Sequence, residues 1–426
     1  MLYSFHSIPP NRPLRKDQNC DKIPFSFRNT YRRRAISGKE VFIIKKIKPY
    51  IKQFAERADL FLLIVCVICS IFGTLMIYRA SSNMVAAGWD MNTNKQIIVQ
   101  VFSIFLGIGA FILLTVIDSD LLASQWRFLI IIQGVLLVLL RLFGQDDGTG
   151  NFAWIRFAGI GIQPSEVIKV IYIVICARHM TWLKEYRDIN SVLSVGQLAA
   201  HFVIVFLAIV GVSSDLGSAS IILCIFASML FVLGVRLYWF AIGGAALAAA
   251  VPLLWNHFLK TYQKERLLAP YVPSIDPDGY GKNWQTAQSI KTLASGRLTG
   301  VEPGHRSTVF TGKHTDFIFA AIGEELGMVG CLAVMLLLII IILRCVYIGL
   351  HSSRTFDMLI CFGVASAVTF QTIINIGMCI GITPVIGITL PFFSYGGSSM
   401  MTMFAAMGLV SGVRFKLKPE LFSLAG

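Results

Sequence analysis

Runs of apolar residues long enough to cross a bilayer, about 20 residues each, recur along this chain. They fall near 59–79, 96–117, 126–144, 164–182, 196–213, 215–234, 236–256, 316–346, 357–382 and 389–413. In lipid, only a helix or a closed barrel satisfies its own backbone. Barrel strands alternate over about 10 residues, and these runs are too long and too evenly apolar for that. The expected fold is all-α: a polytopic membrane protein with about ten transmembrane helices. Composition agrees. Only 14% of residues are charged, against about 25% in soluble domains. A disordered chain would be poor in the apolar residues that dominate here.

The net charge of +14 is concentrated at one end. Up to Arg57 there are fourteen Lys and Arg against four acidic residues. A polar stretch of this length before the first apolar run is no secretory signal. It reads as a basic cytoplasmic arm over 1–58, held by anionic lipid and the positive-inside rule rather than by nucleic acid. With the N-terminus inside, Lys184, Arg187, Arg236, Arg344 and Arg354 fall inside, as does the tail 416–426, while Asp146 and Asp147 fall outside. Both termini are then cytoplasmic, flanking a transmembrane domain over 59–415. Cys20 lies in the arm and the other eight cysteines in apolar runs, where Cys serves as a small hydrophobe. No metal-ligand spacing is present, and no disulfide framework is implied.

One loop breaks the charge rule. Residues 257–315, between helices 7 and 8, form the only long loop and fall outside, yet carry Lys260, Lys264, Arg266, Lys282, Lys291, Arg297, Arg306 and Lys313. Cations there suit a phosphate or pyrophosphate partner, against the plainer reading of a solvated loop. A structureless loop of this length is itself often functional.

Ionisable residues in apolar runs are costly and mark function. Glu166 and Lys169, at i and i+3 after Gln163-Pro164-Ser165, share a helix face and can pair. Arg156 is a third candidate for that cluster. Asp215 begins the sixth run, where a helix N-cap is the plainer reading. Asp316, Glu324 and Glu325 crowd the eighth run, preceded by His314. In the outer loop, Asp276-Pro277-Asp278-Gly279-Tyr280-Gly281 is turn-rich and precedes Gln288 and Ser289. Its carboxylates suit a general base or an Asx turn. Asn375, Ser394, Tyr395 and Gly396 add polar or small residues to the last two runs, and Gly396-Gly397 permits a break there. These residues describe a polar cluster under a basic outer loop, and leave membrane enzyme and transporter both open.

Taken together, Gln163-Pro164-Ser165-Glu166, Asp215-Leu216-Gly217, Asp276 to Gly281, Gln288-Ser289, His314 to Phe319, Gly323 to Gly327 and Ser394 to Ser398 resemble the SEDS family (shape, elongation, division and sporulation) of RodA, FtsW and SpoVE. The resemblance covers roughly 59–415. It implies peptidoglycan glycosyltransfer from lipid II, an undecaprenyl-pyrophosphate disaccharide-pentapeptide, on the outer side of the bacterial cytoplasmic membrane. The family's proposed catalytic acid falls on Asp276. The cavity residues would be Glu166, Lys169, Asp215, Arg156, Gln288, Ser289, His314, Asp316, Glu325, Asn375, Ser394, Tyr395 and Gly396. No tightly bound cofactor is implied. A divalent cation, Mg2+ or Mn2+, would come with the substrate pyrophosphate. The implied partners are a class B penicillin-binding protein transpeptidase and elongation-complex proteins.

The chain departs from the family pattern at several points. Lys282 and Asn283 are extra, so Asp278 stands at the usual distance from Gln288 and rivals Asp276. Ala294-Ser295-Gly296-Arg297 replaces a Gly-rich bend, and Ser214 replaces a Pro. Asn375 to Met378 and Thr383-Pro384-Val385 look most like RodA, with division or sporulation roles as alternatives. Beside the enzyme stand two other readings: a lipid II flippase or transporter using Glu166, Lys169 and Asp215, and a scaffold that only activates a partner.

Overall fold

The computed structural model describes residues 52–145, 152–157, 160–257, 259, 261–276, 281, 283–302 and 308–417. The basic arm up to residue 51, Asp146, Asp147, Asp278, Lys260, Lys282, Arg306 and the tail from residue 418 lie outside them. The chain divides into two units, Met1–Glu56 and Arg57–Gly426. Of the first, residues 52–56 are helical. The second holds the membrane fold.

In chain order its elements are α1 (Leu60–Ala86), α2 (Thr93–Val116), α3 (Ser119–Ser124), α4 (Trp126–Phe143), β1 (Ile155–Phe157), β2 (Ile160–Ile162), α5 (Pro164–Tyr186), α6 (Val192–Ser213), α7 (Leu216–Leu233), α8 (Leu237–His257), α9 (Thr261–Leu268), α10 (Trp284–Ser295), α11 (Ile318–Leu350), α12 (Thr355–Cys379) and α13 (Gly397–Leu417). The two strands form one small antiparallel hairpin, with Arg156 opposite Gly161. The protein is an all-α polytopic membrane protein. Many helices begin at a side-chain cap. Asp59, Asn92, Asp118, Ser191 and Asp215 each accept a backbone N–H from the first turn of the next helix.

Eight of these helices are long and apolar enough to cross a membrane: α1, α2, α4, α6, α7, α8, α11 and α12. The expected spans at 164–182 and 389–413 correspond to α5 and α13, whose 23 and 21 residues also reach across about 30 Å. They are less apolar because they face protein instead of lipid. Most of α5 is buried, while the most apolar stretch of α8 is not buried at all. α13 packs closely on α2 through small residues. A Cβ on Gly408 would stand 2.7 Å from the Phe111 carbonyl oxygen, and one on Gly107 would stand 2.7 Å from the Phe404 ring.

At one end of the bundle a buried aspartate joins three helices. Asp59 caps α1 and receives Arg344 of α11 at 2.8 Å and Arg414 of α13 at 3.2 Å. Its own N–H donates to Ser411. Arg344 also lies over the rings of Phe61 and Tyr347. Sequence alone counts this arginine among the orientation charges; it is an intrahelical residue holding the bundle together.

Three sequence expectations need correction. The eighth run is one apolar stretch but two helical pieces, because Gly327 has φ 66° and ψ −162°, a region essentially reserved for glycine. The freed N–H groups of Met328 and Val329 donate to the Arg297 and Leu298 carbonyls, so the segment after α10 takes the place of the missing helical turn. The last run is helical only from Gly397; residues 380–396 are irregular. The long loop 257–315 is not structureless: it holds α9, a 3-10 turn at Pro273–Ile275 and α10.

Gly327→Ala should cost about 2–4 kcal/mol, from forbidden dihedrals and the clash of a Cβ with the Leu298 carbonyl. Gly109→Ala, where a Cβ meets nothing within 4 Å, should be near neutral. Thermal unfolding of both detergent-purified variants checks this, and equal midpoints would contradict it.

Candidate active site

The irregular segment 380–396 is the hub of the polar interior. On one side of it three helix starts meet. Gln163, the N-cap of α5, donates its backbone N–H to Ser398 Oγ of α13 at 3.0 Å and its side-chain amide to Asp215 at 3.2 Å. Asp215 also caps α7 through Ser218 N–H and accepts from Ser165 Oγ, and Ser218 Oγ donates back to Ser165. Gly217 packs against this segment, where a Cβ would stand 2.6 Å from the Ile386 carbonyl oxygen. Helix N-termini carry partial positive charge, so this junction offsets the carboxylate of Asp215.

Lys169 pairs with Glu166 at 2.8 Å, both almost fully buried. Glu166 Oε2 has no hydrogen-bond partner. Asp215 is therefore a cap braced by Gln163 and Ser165, and Lys169 pairs with Glu166 instead. Arg156 is exposed on β1, outside this buried pair.

On the other side, the segment before α11 zips onto residues 390–396. Ser394 Oγ donates to the Thr315 carbonyl and accepts from Leu390 N–H, while Tyr395 N–H donates to the His314 carbonyl. Asn375 Nδ2 bridges the Asp316 and Ile388 carbonyls at 2.7 Å each. Two glutamines of α2 complete the mesh. Gln100 donates to the Ser394 carbonyl and accepts from Gly396 N–H, and Gln96 approaches His314 Nε2 at 3.4 Å. The His314 ring stands 5.9 Å from that of Tyr395.

The acids of the eighth run have separate partners. Glu324 forms a fully buried ion pair with Lys313, accepts Thr308 N–H at 3.0 Å, and through its backbone carbonyl accepts Val301 N–H. Lys313 also donates to the Thr308 carbonyl. Lys313 is thus a structural pin and not one of the outer cations expected to meet an anion. Glu325 accepts from Asn83 of α1.

The loop carrying Asp276 docks on the beginning of the same irregular segment. Tyr271 donates to the Ile382 carbonyl, and Ser289 of α10 to the Cys379 carbonyl. Gln285 donates to the Thr311 carbonyl, and Trp284 meets Phe310 edge to face. Gln288, one turn before Thr292 on α10, is half-buried. Asp276 is half-buried, with its carboxylate held by backbone N–H groups: Gly281 on both oxygens at 3.0 Å and Asn283 on Oδ2 at 2.8 Å. Asn283 also donates its side chain to the Ala269 carbonyl. One of the two extra residues therefore supplies the clamp on this acid. Such a carboxylate offers about four acceptor positions, so it keeps room for a proton from a ligand.

Residues 59–418 match the family described as cell cycle protein, FtsW/RodA/SpoVE. The chain belongs to that family. It is 32% identical over 374 residues to the "Probable peptidoglycan glycosyltransferase FtsW" of Geobacter metallireducens, covering 85% of this chain and 96% of the relative. It is 30% identical over 347 residues to the "Peptidoglycan glycosyltransferase MrdB" of Escherichia coli K12, covering 80% and 90%. Its fold resembles a chain of a solved assembly described as "Structural coordination of polymerization and crosslinking by a peptidoglycan synthase complex", with TM-score 0.67, 28% identity, and 84% and 97% of the two chains covered.

Sequence reasoning missed Gln96, Gln100, Asn83 and the Lys313–Glu324 pair. Gln96, Gln100 and Ser103 stand at helical spacing in an apolar run, which marks one polar face. Nothing local links Lys313 to Glu324 across the start of α11.

Burial pushes His314 down from the ordinary 6.5 to about 4, and its Nδ1 has no partner. The folded protein thus binds fewer protons here than the unfolded chain. Stability from this group is complete above about pH 6.5 and falls as the pH drops towards 4. Between pH 6.5 and 5 the loss should be about 2 kcal/mol. His314→Gln should lack that component when unfolding is followed at pH 7 and pH 5; an unchanged pH dependence would contradict it.

Proposed function

We propose that this chain is a glycosyltransferase of the cytoplasmic membrane that polymerises lipid II into peptidoglycan strands, with Asp276 as general base. The observation that carries this reading is the Asp276 carboxylate, fixed by Gly281 and Asn283 on a loop tied to the irregular segment over the polar interior. The relatives named as peptidoglycan glycosyltransferases support it.

In this reaction Asp276 accepts the proton of the acceptor sugar's 4-hydroxyl. The hydroxyl oxygen attacks the donor anomeric carbon. The bond from that carbon to the pyrophosphate oxygen breaks, and the lipid pyrophosphate leaves with the electron pair. Attack opposite the leaving group inverts the anomeric centre, as in a base-assisted inverting glycosidase. The pyrophosphate is a good leaving group, so neutralising its charge matters more than protonating it. Among the described residues of the loop, Lys264, Lys291 and Arg297 would supply that charge. Among the described residues no cluster of three His, Cys, Asp or Glu could hold a metal. A divalent ion, if one comes with the substrate, would be held partly by its phosphate oxygens.

The positive-inside pattern supports cytoplasmic termini and an outer face for 257–315. The proposed partner is a class B penicillin-binding protein, which would crosslink the new strands. An elongation role rests on Asn375 to Met378 and Thr383 to Val385; relatives carrying the FtsW and MrdB names are about equally similar. Against the transporter reading, Lys169 pairs with Glu166 and Asp215 is held by Gln163 and Ser165.

The test is lipid II polymerisation by the purified protein with its partner, whose transpeptidase is blocked by a β-lactam. Wild type should make glycan, Asp276→Ala should lose about 100-fold or more, and Asp278→Ala should keep most activity. Loss confined to Asp278→Ala would move the base to Asp278. Glycan synthesis unaffected by either change would overturn the assignment.

A further inference from the structure

A cavity of about 640 Å³ opens between α4, α5 and α6, far from the candidate active site. Its walls include Trp126, Arg178, His179, Trp182, Gln197 and His201. Arg178 is twelve residues beyond Glu166 on α5, roughly 18 Å along the helix axis. The volume is in the range of small-molecule and lipid-headgroup sites, about 300–1,000 Å³.

Three observations bear on the occupant. Arg178 is half-buried, and among the described residues it has no ion-pair or hydrogen-bond partner. A guanidinium inside a membrane helix without a counter-ion is costly. No lining residue is acidic, and Glu185 and Asp188, the acids nearby in sequence, are exposed. The two tryptophans at the rim mark interfacial depth: Arg127 lies 5.3 Å from the Trp126 ring centre and Arg187 lies 5.5 Å from that of Trp182. The remaining wall is aliphatic, with Ile130 and Ile204 exposed towards the lipid side. His179 and His201 face each other at 3.5 Å between their Nδ1 atoms; in the neutral pair one Nδ1–H is shared with the other ring, and the accepting ring keeps its Nε2–H for a ligand.

We propose that this cavity is a binding site for one anionic phospholipid of the surrounding leaflet. Its phosphodiester sits against Arg178 and the histidine pair, and its acyl chains lie along the aliphatic wall. The tryptophans hold the glycerol region. A zwitterionic lipid satisfies the arginine less well, because its own cation competes. This site is independent of the glycosyltransfer reading, since it shares no residue with Asp276 or the segment 380–396.

Native mass spectrometry of the full-length, delipidated protein tests it, with phosphatidylglycerol and phosphatidylcholine of matched chains added in turn. Wild type should retain phosphatidylglycerol preferentially. Arg178→Gln should reduce that preference about fivefold. Ala200→Trp, at an exposed lining position, should block the site without removing charge. Arg236→Gln, outside the lining, should bind as wild type does. Circular dichroism melting of each variant separates loss of the site from loss of the fold. Equal retention of both lipids by wild type would overturn the proposal, as would undiminished preference in a folded Arg178→Gln protein. Displacement of the lipid by millimolar glycerol phosphate would also overturn it, by assigning the site to a soluble phosphate.

Discussion

Irregular backbone inside a membrane must satisfy its freed groups within the protein, and among the described residues α11 breaks at Gly327 and the segment 380–396 stays irregular. The buried Lys313–Glu324 pair is the pin that makes this workable. It ties the segment before α11 to the second turn of that helix, and it gathers Thr308 and Val301 into the same knot. With that knot in place, Arg297 and Leu298 reach the N–H groups released at Gly327. The pair is not needed as net attraction, since a buried ion pair contributes little over a well-packed apolar one. Its weight shows when one partner is lost, because an uncompensated charge then remains buried at the base of the long loop.

The arrangement of the site depends on this pin. The segment before α11 is held firmly enough to zip onto residues 390–396, which in turn leave the helix starts of α5, α7 and α13 hydrogen-bonded to one another. The loop 257–315 then has fixed ground to stand on: Tyr271 and Ser289 seize the two ends of the Cys379–Ile382 turn. A carboxylate on a long loop is normally mobile. Here Asp276 is oriented by two backbone N–H groups of its own loop, and the loop by the membrane bundle.

The membrane class was legible because lipid-facing side chains are apolar whatever the interior does. The same signal hid the interruptions. Hydropathy is blind to backbone dihedrals, so the run through Gly327 reads as a single helix, and the apolar residues of 389–396 read as part of the last one. Short-range chemistry was legible too: Ser213-Ser214-Asp215 is the break between α6 and α7, with Ser214 left-handed and Asp215 the cap. Glu166 and Lys169 pair as their spacing implies. Long-range pairing was not. Asp59 with Arg344 and Arg414, Asn83 with Glu325, and Gln100 with Gly396 join residues far apart in sequence, and no local pattern encodes those meetings. Lys313 reads as an outer cation for the same reason, because its partner lies beyond a turn whose path the sequence does not state.

The most direct measurement is a double-mutant cycle on the pin, with thermal unfolding and glycan synthesis measured in Lys313→Met, Glu324→Gln and the double variant. Each single change should cost about 3–5 kcal/mol and most of the synthesis, and the double should recover much of the stability, because no charge is then left buried alone. Single variants that melt and polymerise as wild type does would contradict the account, since the long loop would then stand without the pair said to hold it.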